Sequence, residues 1–200
     1  IQIVDYKVSF NEKQAIEYSS QIGFPLAMKV LSSEIMHKTE TGGVELNIKN
    51  LEEVKISFKK LSDVFQKLKI NSSEKKFIIQ KMEKGIAEII LGYRVDELVG
   101  PIVVIGSGGI LSEIYNDKSI RMAPVDITEA KKMIKEVKSL VTITGYRGLP
   151  EVDINIIATA IVNISKFALV KEIKEAEINP VIVKKNNEGI VAVDGLITLK

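Results

Sequence analysis

The chain has no cysteine and no tryptophan, and its single histidine is His37. Without cysteine there can be no disulfide, thiol nucleophile or zinc ribbon, and one histidine removes most other zinc sites. Any metal is therefore expected to be a hard cation held by oxygen. A strong charge of one sign is missing too. Lys and Arg number 28 against 26 Asp and Glu, a net of +2, so the basic excess of a nucleic-acid binder is lacking and no such partner is expected. Apolar runs such as Pro101 to Ile105 are too short to cross a bilayer, and no signal peptide is visible. No membrane partner and a cytoplasmic location are expected. What is present suffices for a sizeable core: 200 residues, 46% of them hydrophobic. The chain opens on IQIVDYK without methionine, so its natural start is expected upstream.

Periodicity sets the order of elements. Ile1 to Phe10 alternates as a strand, and Asn11 with Gln14 forms a capping box for a helix that Gly23 stops. Strands follow at Pro25 to Val30 and Gly43 to Ile48. Asn50 and Glu53 cap a second helix, in which Leu51, Val54, Phe58, Leu61, Phe65 and Leu68 recur at three-four spacing. Phe77 to Met82, Ala87 to Tyr93, Pro101 to Ile105 and Ile110 to Tyr115 read as strands. Asp126 with Glu129 caps a helix to about Val137, another follows Pro150, and a hairpin near Ile173 to Val183 and Ile190 to Ile197 closes the chain. Short hairpins mixed with helical connections argue for an α+β fold in two lobes, residues 1–79 and 80–200.

Several constellations carry chemistry. Lys29 ends a strand beside the Gly42-Gly43 turn, a setting in which a polyphosphate can meet an ammonium and close backbone N–H groups. Its bland reading is a solvated strand-end charge. Gly106-Ser107-Gly108-Gly109 follows a strand, but Leu111 stands at the third glycine position of a dinucleotide fingerprint and no GxxxxGK[ST] exists. A tight turn between strands is the alternative. In the last hairpin, a two-residue turn at Asn186-Asn187 sets Asn179 opposite Asp194, with Glu177 on the same face. Cross-strand Cβ atoms are about 4.5–5.5 Å apart, close enough for both side chains to share one cation. Mg²⁺ suits such a pair, and a solvated polar face is the rival.

Taken together, GFPLAMKV, SEIMHKTETGGVEL, GSGGILSEI, GYRG, EINP and VDG occur in this order and span nearly the whole chain. They resemble the ATP-grasp domain of the ADP-forming acyl-CoA synthetases, the β-subunit type related to succinyl-CoA synthetase. The resemblance implies an ATP-grasp fold of two α/β lobes with ATP or ADP between them. It gives Lys29, Gly42, Gly43, Gly108, Gly109 and Arg121 to the phosphates. Gln80, Met82, Glu83 and Glu88 fall to the adenine hinge and its surroundings, with Met82 packing on the base. Asn179 and Asp194 would hold Mg²⁺, with Glu177 and Glu113 at the catalytic centre. His37 would carry the phosphoryl group of acyl-CoA + ADP + phosphate ⇌ acid + ATP + CoA. A CoA-binding α subunit or fused domain bearing a second phosphohistidine is the implied partner, in a hetero-oligomer. Three alternatives stay open: His37 as an exposed bystander, Arg121 and Arg147 as structural ion pairs, and the domain as part of a regulatory acetyltransferase fusion or a CoA-independent ligase.

Overall fold

Asn11 does what its position predicts. Its side chain accepts the Gln14 N–H at 2.9 Å, while the Gln14 side chain accepts the Phe10 N–H at 2.9 Å, so two helix-end donors are satisfied reciprocally. The helix so opened, α1, spans Glu12–Ile22. The computed structural model describes residues 1–32, 41–68, 75–108, 117–143, 147, 152–185 and 188–200. These form two compact units: Val4–Met82, and Glu83–Lys200 together with Ile1–Ile3.

The first unit is a four-stranded antiparallel sheet under two helices. Its strands are β2 (Tyr6–Ser9), β3 (Leu26–Leu31), β4 (Val44–Ile48) and β5 (Lys76–Lys81), in the order β2-β5-β3-β4. Helix α2 (Leu51–Lys67) starts at Asn50, whose side chain accepts the Glu53 N–H at 2.9 Å. Leu26, Met28 and Val30 of β3 and Phe77 and Ile79 of β5 point at the helices, where they meet Ala15, Leu61 and Phe65. Each such fully buried side chain contributes about 1.5–3 kcal/mol. The alternate residues, Ala27, Lys29, Ile78 and Gln80, therefore lie on the other face.

In the second unit, β1 (Gln2–Ile3), β6 (Ala87–Asp96), β7 (Gly100–Ser107), β8 (Lys118–Met122), β9 (Ile173–Val183) and β10 (Ile190–Ala192) run in the order β1-β10-β9-β6-β7-β8, with β11 (Gly195–Leu199) also on β9. Helices α3 (Ile127–Glu136) and α4 (Ile154–Ser165) cover one face. Ile89, Leu91, Val103 and Ile105 of the sheet pack there against Met133, Ile134, Ile157 and Ile161. Every pairing is antiparallel except β1 with β10.

Two expectations need amendment. The strand expected over Ile1 to Phe10 is two short strands, β1 pairing β10 and β2 pairing β5, in different sheets. Alternation persists across the break, so local pattern could not reveal that the partner changes. Strand β8 was not foreseen: KSIRM is short and charge-rich, as edge strands often are. The strand expected at Ile110 to Tyr115 lies outside the described residues.

Candidate functional site

Because the helices cover one face of the second unit's sheet, the other face is left to carry polar groups. Glu88, Ile90, Gly92 and Arg94 of β6 alternate onto it, as do Glu175 and Glu177 of β9. A trough of about 290 Å³ runs over this face, lined by Ile90, Gly92, Val104, Gly106, Glu175 and Glu177. Its floor is apolar and its β9 rim acidic.

The metal-ligand candidates stand on β9 and just before β11. Ile190 faces Val183 and Gly195 faces Ile178, the register predicted from a two-residue turn. The Asn179 N–H donates to the Asp194 carbonyl at 3.1 Å, which fastens the two chains where the expected pair lies. On the side-chain level, Asn179 Nδ2 donates to Glu177 Oε1 at 3.4 Å, and the Gly195 N–H donates to Asp194 Oδ1 at 3.0 Å. Among the described residues no group of three Asp, Glu, His or Cys side chains converges to hold a metal. The set here is two carboxylates and an amide, all oxygen donors of the kind Mg²⁺ takes when phosphate and water complete its shell.

Close backbone approach explains Gly108. Its N–H donates to the Glu88 carbonyl at 2.7 Å, and a Cβ there would lie 2.9 Å from backbone atoms of Glu88 and Ile89. Glu88, exposed at the start of β6, is thus tied to the end of β7. Glu83 has a different neighbour: its carboxylate is paired with Lys184 at 2.8 Å.

In the first unit, Lys29 lies on the sheet face away from the helices, among Ala27, Val44 and Ile78. It is 6% exposed and stands opposite Val44 of β4 and Ile78 of β5. Gly42 precedes β4 with φ +71°, which glycine adopts without strain, and Gly43 O accepts the Val30 N–H at 2.9 Å. Gln80 belongs to a strand paired on both sides, with Tyr6 and with Ala27. Just after it, the Met82 N–H donates to Pro25 O at 3.0 Å. With the Lys81 N–H also donating to Asp5 O at 3.0 Å, the expected adenine hinge has both of these amides already engaged.

Arg121 lies away from the trough. It faces Val103, a core residue, so it projects to the helix side of the sheet and not toward the trough. There Arg121 Nε donates to Glu129 Oε1 at 2.7 Å and Nη2 to Glu136 Oε1 at 2.5 Å. Hydrogen bonding to Glu136 and then Glu129 raises the guanidinium above its ordinary value, and both carboxylates are held below theirs by Arg121 first of all. A guanidinium fork held by two carboxylates is a structural clamp between β8 and α3. Asp117 anchors the start of β8 similarly: burial pushes its carboxyl up, but the Ser139 and Lys138 amides outweigh that and hold it low.

His37, Gly109 and Glu113 lie outside the described residues, and Arg147 is described only as a residue with left-handed backbone, φ 53°. Sequence reasoning passed over Glu175 and Lys184. The first could have been found by stepping two residues back from Glu177 along the strand. The second offered no local signal, because its partner is Glu83.

Comparison with known proteins now bears on these residues. The chain matches the ATP-grasp domain family over residues 1–199. It is 37% identical to the acetate–CoA ligase [ADP-forming] I subunit beta of Pyrococcus furiosus, covering 100% of this chain and 85% of that one. Identity is 35% to the 4-hydroxybutyrate–CoA ligase [ADP-forming] of Nitrosopumilus maritimus, over 94% of this chain but 27% of the relative. The acetyl-coenzyme A synthetase 1 of Ca. Korarchaeum cryptofilum, solved with coenzyme A, Ca-AMPCP and HgCl⁺, superimposes with a TM-score of 0.89 at 33% identity, over 100% of this chain and 87% of that one. Solved with coenzyme A and Mg-AMPPCP, the same protein gives a TM-score of 0.79 at 32% identity, over 100% and 86%.

Proposed function

We propose, from the premise that this chain belongs to the ATP-grasp domain family and to its branch of ADP-forming acyl-CoA synthetase β subunits, that it is the nucleotide-binding component of such an enzyme. The reaction is acyl-CoA + ADP + phosphate ⇌ carboxylic acid + ATP + CoA. One observation supports the assignment on this chain's own residues: the β9–β11 register, in which the Asn179 N–H bonds the Asp194 carbonyl and the Asn179 side chain donates to Glu177.

Asn179 and Asp194 would hold Mg²⁺, which when bound neutralises phosphate charge. Glu177, hydrogen-bonded to the Asn179 amide, orients that ligand. Lys29, on a buried strand, supplies a fixed positive charge for the phosphates, and the Gly42-Gly43 turn lets backbone approach them; Gly108, whose N–H is given to Glu88 O, keeps β7 against β6 instead. Gln80 and Met82 lie where the adenine is received; with the Met82 N–H bonded to Pro25, the groups offered are the Met82 carbonyl and the amides after it. His37 carries the phosphoryl group, since a neutral imidazole is a competent nucleophile and the resulting N–P bond keeps a high transfer potential. A CoA-binding α subunit or fused domain supplies the second half of the reaction; the relative named as a β subunit favours the first arrangement, and the one in which this region is 27% of the chain favours the second.

Intact mass after incubation with Mg·ATP, at alkaline pH, tests the reading. Wild type is expected to gain one acid-labile phosphoryl group, and His37→Ala none. Failure of the wild-type chain to bind Mg·ATP or Mg·ADP would overturn the assignment.

A further inference from the structure

One ion pair is left unused by the reading above. Between the end of β5 and the start of β6 the chain has only a short run outside strands, Met82 to Ile86. On the β5 side, the Lys81 ammonium donates to the carbonyls of Gly23 and Phe24 at 3.2 and 2.9 Å, and the Met82 N–H to Pro25 O at 3.0 Å. On the β6 side, the Ile86 N–H donates to Val183 O at 2.8 Å. Gly85 presses so closely on the end of β9 that a Cβ would stand 2.4 Å from that same carbonyl oxygen. The remaining fastening is a side-chain one: Glu83 Oε2 to Lys184 Nζ at 2.8 Å, with the two side chains only 23% and 21% exposed.

We propose that Lys184 is a positioning residue for the nucleotide base. By holding Glu83 to the end of β9, it fixes the backbone of Met82 to Lys84 in the conformation that meets the adenine edge. The inference rests on the nucleotide-binding reading and refines it: Glu83 acts through its backbone, and its carboxylate serves the clamp. Ordering backbone costs conformational entropy, so a segment fastened beforehand leaves less to be ordered when ligand binds. Lys184 directly follows the strand that bears Glu177 and Asn179, so one strand supports both the metal ligands and the base contact. A pair shielded this far from water is also worth more than an exposed one.

The test is calorimetric titration of the full chain with Mg·ADP, and with Mg·pyrophosphate as a ligand that lacks the base. Lys184→Met keeps the aliphatic stem and removes the charge; it should weaken Mg·ADP about fivefold to tenfold while Mg·pyrophosphate and Tm change little. Lys184→Arg, and the reversed pair Glu83→Lys with Lys184→Glu, should return the ADP affinity to within about twofold of wild type. Unchanged ADP affinity in Lys184→Met overturns the inference, as does an equal loss for both ligands with a lowered Tm, which marks a merely structural pair. Wild-type chain that fails to take Mg·ADP overturns the nucleotide reading itself.

Discussion

The two sheets treat charge in opposite ways. In the first unit the open face hides its cation: Lys29 is 6% exposed in a strand flanked by two others. In the second the open face keeps its anions wet, with Glu177 on β9 and Asp194 before β11 both partly exposed. A buried ammonium carries a desolvation cost that a half-solvated carboxylate largely avoids. Lys29→Met separates the two roles. If the lysine serves the phosphates, nucleotide-dependent activity should fall about 10²- to 10³-fold, as when one charge-stabilising donor is lost. The melting temperature of the same variant is the control, since removing one member of a buried interaction is itself destabilising. A drop in Tm with activity retained would make Lys29 structural, and the contrast between the sheets would lose its functional meaning.

Asp194 tests the wet side of the comparison. Asp194 is partly exposed and sits in the short step between β10 and β11, so Asp194→Asn should leave Tm nearly unchanged. Turnover should nevertheless fall about 10- to 100-fold and the Mg²⁺ concentration for half-maximal rate should rise. A Mg²⁺ titration at fixed nucleotide decides it; an unaltered midpoint would return the hairpin to a solvated polar face.

Glycines divide along the same line. Gly42 is needed for its φ of +71°, with no atom within 4 Å of where a Cβ would be. Gly108 is needed for the space, since a Cβ would meet β6 backbone at 2.9 Å. Gly108→Ala should cost about 1–3 kcal/mol of stability by urea denaturation, as overpacking against a backbone that cannot yield does. Gly42→Ala should cost less, about 1–2 kcal/mol, the strain of a left-handed alanine. Reversal of that order would mean that β6 and β7 separate more readily than their hydrogen bonds suggest.

These contrasts also show what a sequence can and cannot display. The helix starts at Asn11, Asn50 and Asp126 were legible because a cap and its partner are three residues apart. The β9–β11 register was legible because a turn length fixes cross-strand pairing arithmetically. The α+β architecture with its ATP-grasp identity was legible from motif order. Lost were the features whose partners are distant in sequence: the handover from β1 to β2 between sheets, the Glu83–Lys184 pair, and the face on which Arg121 emerges. Arg121 is instructive because its motif pointed to phosphate, while the parity of β8, an edge strand that periodicity did not show, turns it to the helices. Nothing local to IRMAP encodes that parity; it follows from Val103 being the residue across from it.

Arg121 gives the smallest expected effect and the plainest check on the comparison, since it is a strand cation in the second unit that the fold spends on structure. Arg121→Met should leave Mg·ADP affinity unaltered while lowering Tm by about 2–4 °C at pH 7, as for a single part-exposed ion-pair cluster. The pH dependence has a definite sign. Arg121 holds the Glu136 and Glu129 carboxyls below their ordinary value of 4.5, so their contribution is present above that pH in wild type and is lost as pH falls through the lower folded-state values. Melting curves of both proteins between about pH 3 and pH 7 should therefore converge at the acid end, where the carboxyls are protonated and the clamp is gone in each. A constant gap across that range would mean that Arg121 stabilises β8 through packing of its stem. Weakened nucleotide affinity with Tm intact would restore the phosphate role that its position on the helix side argues against.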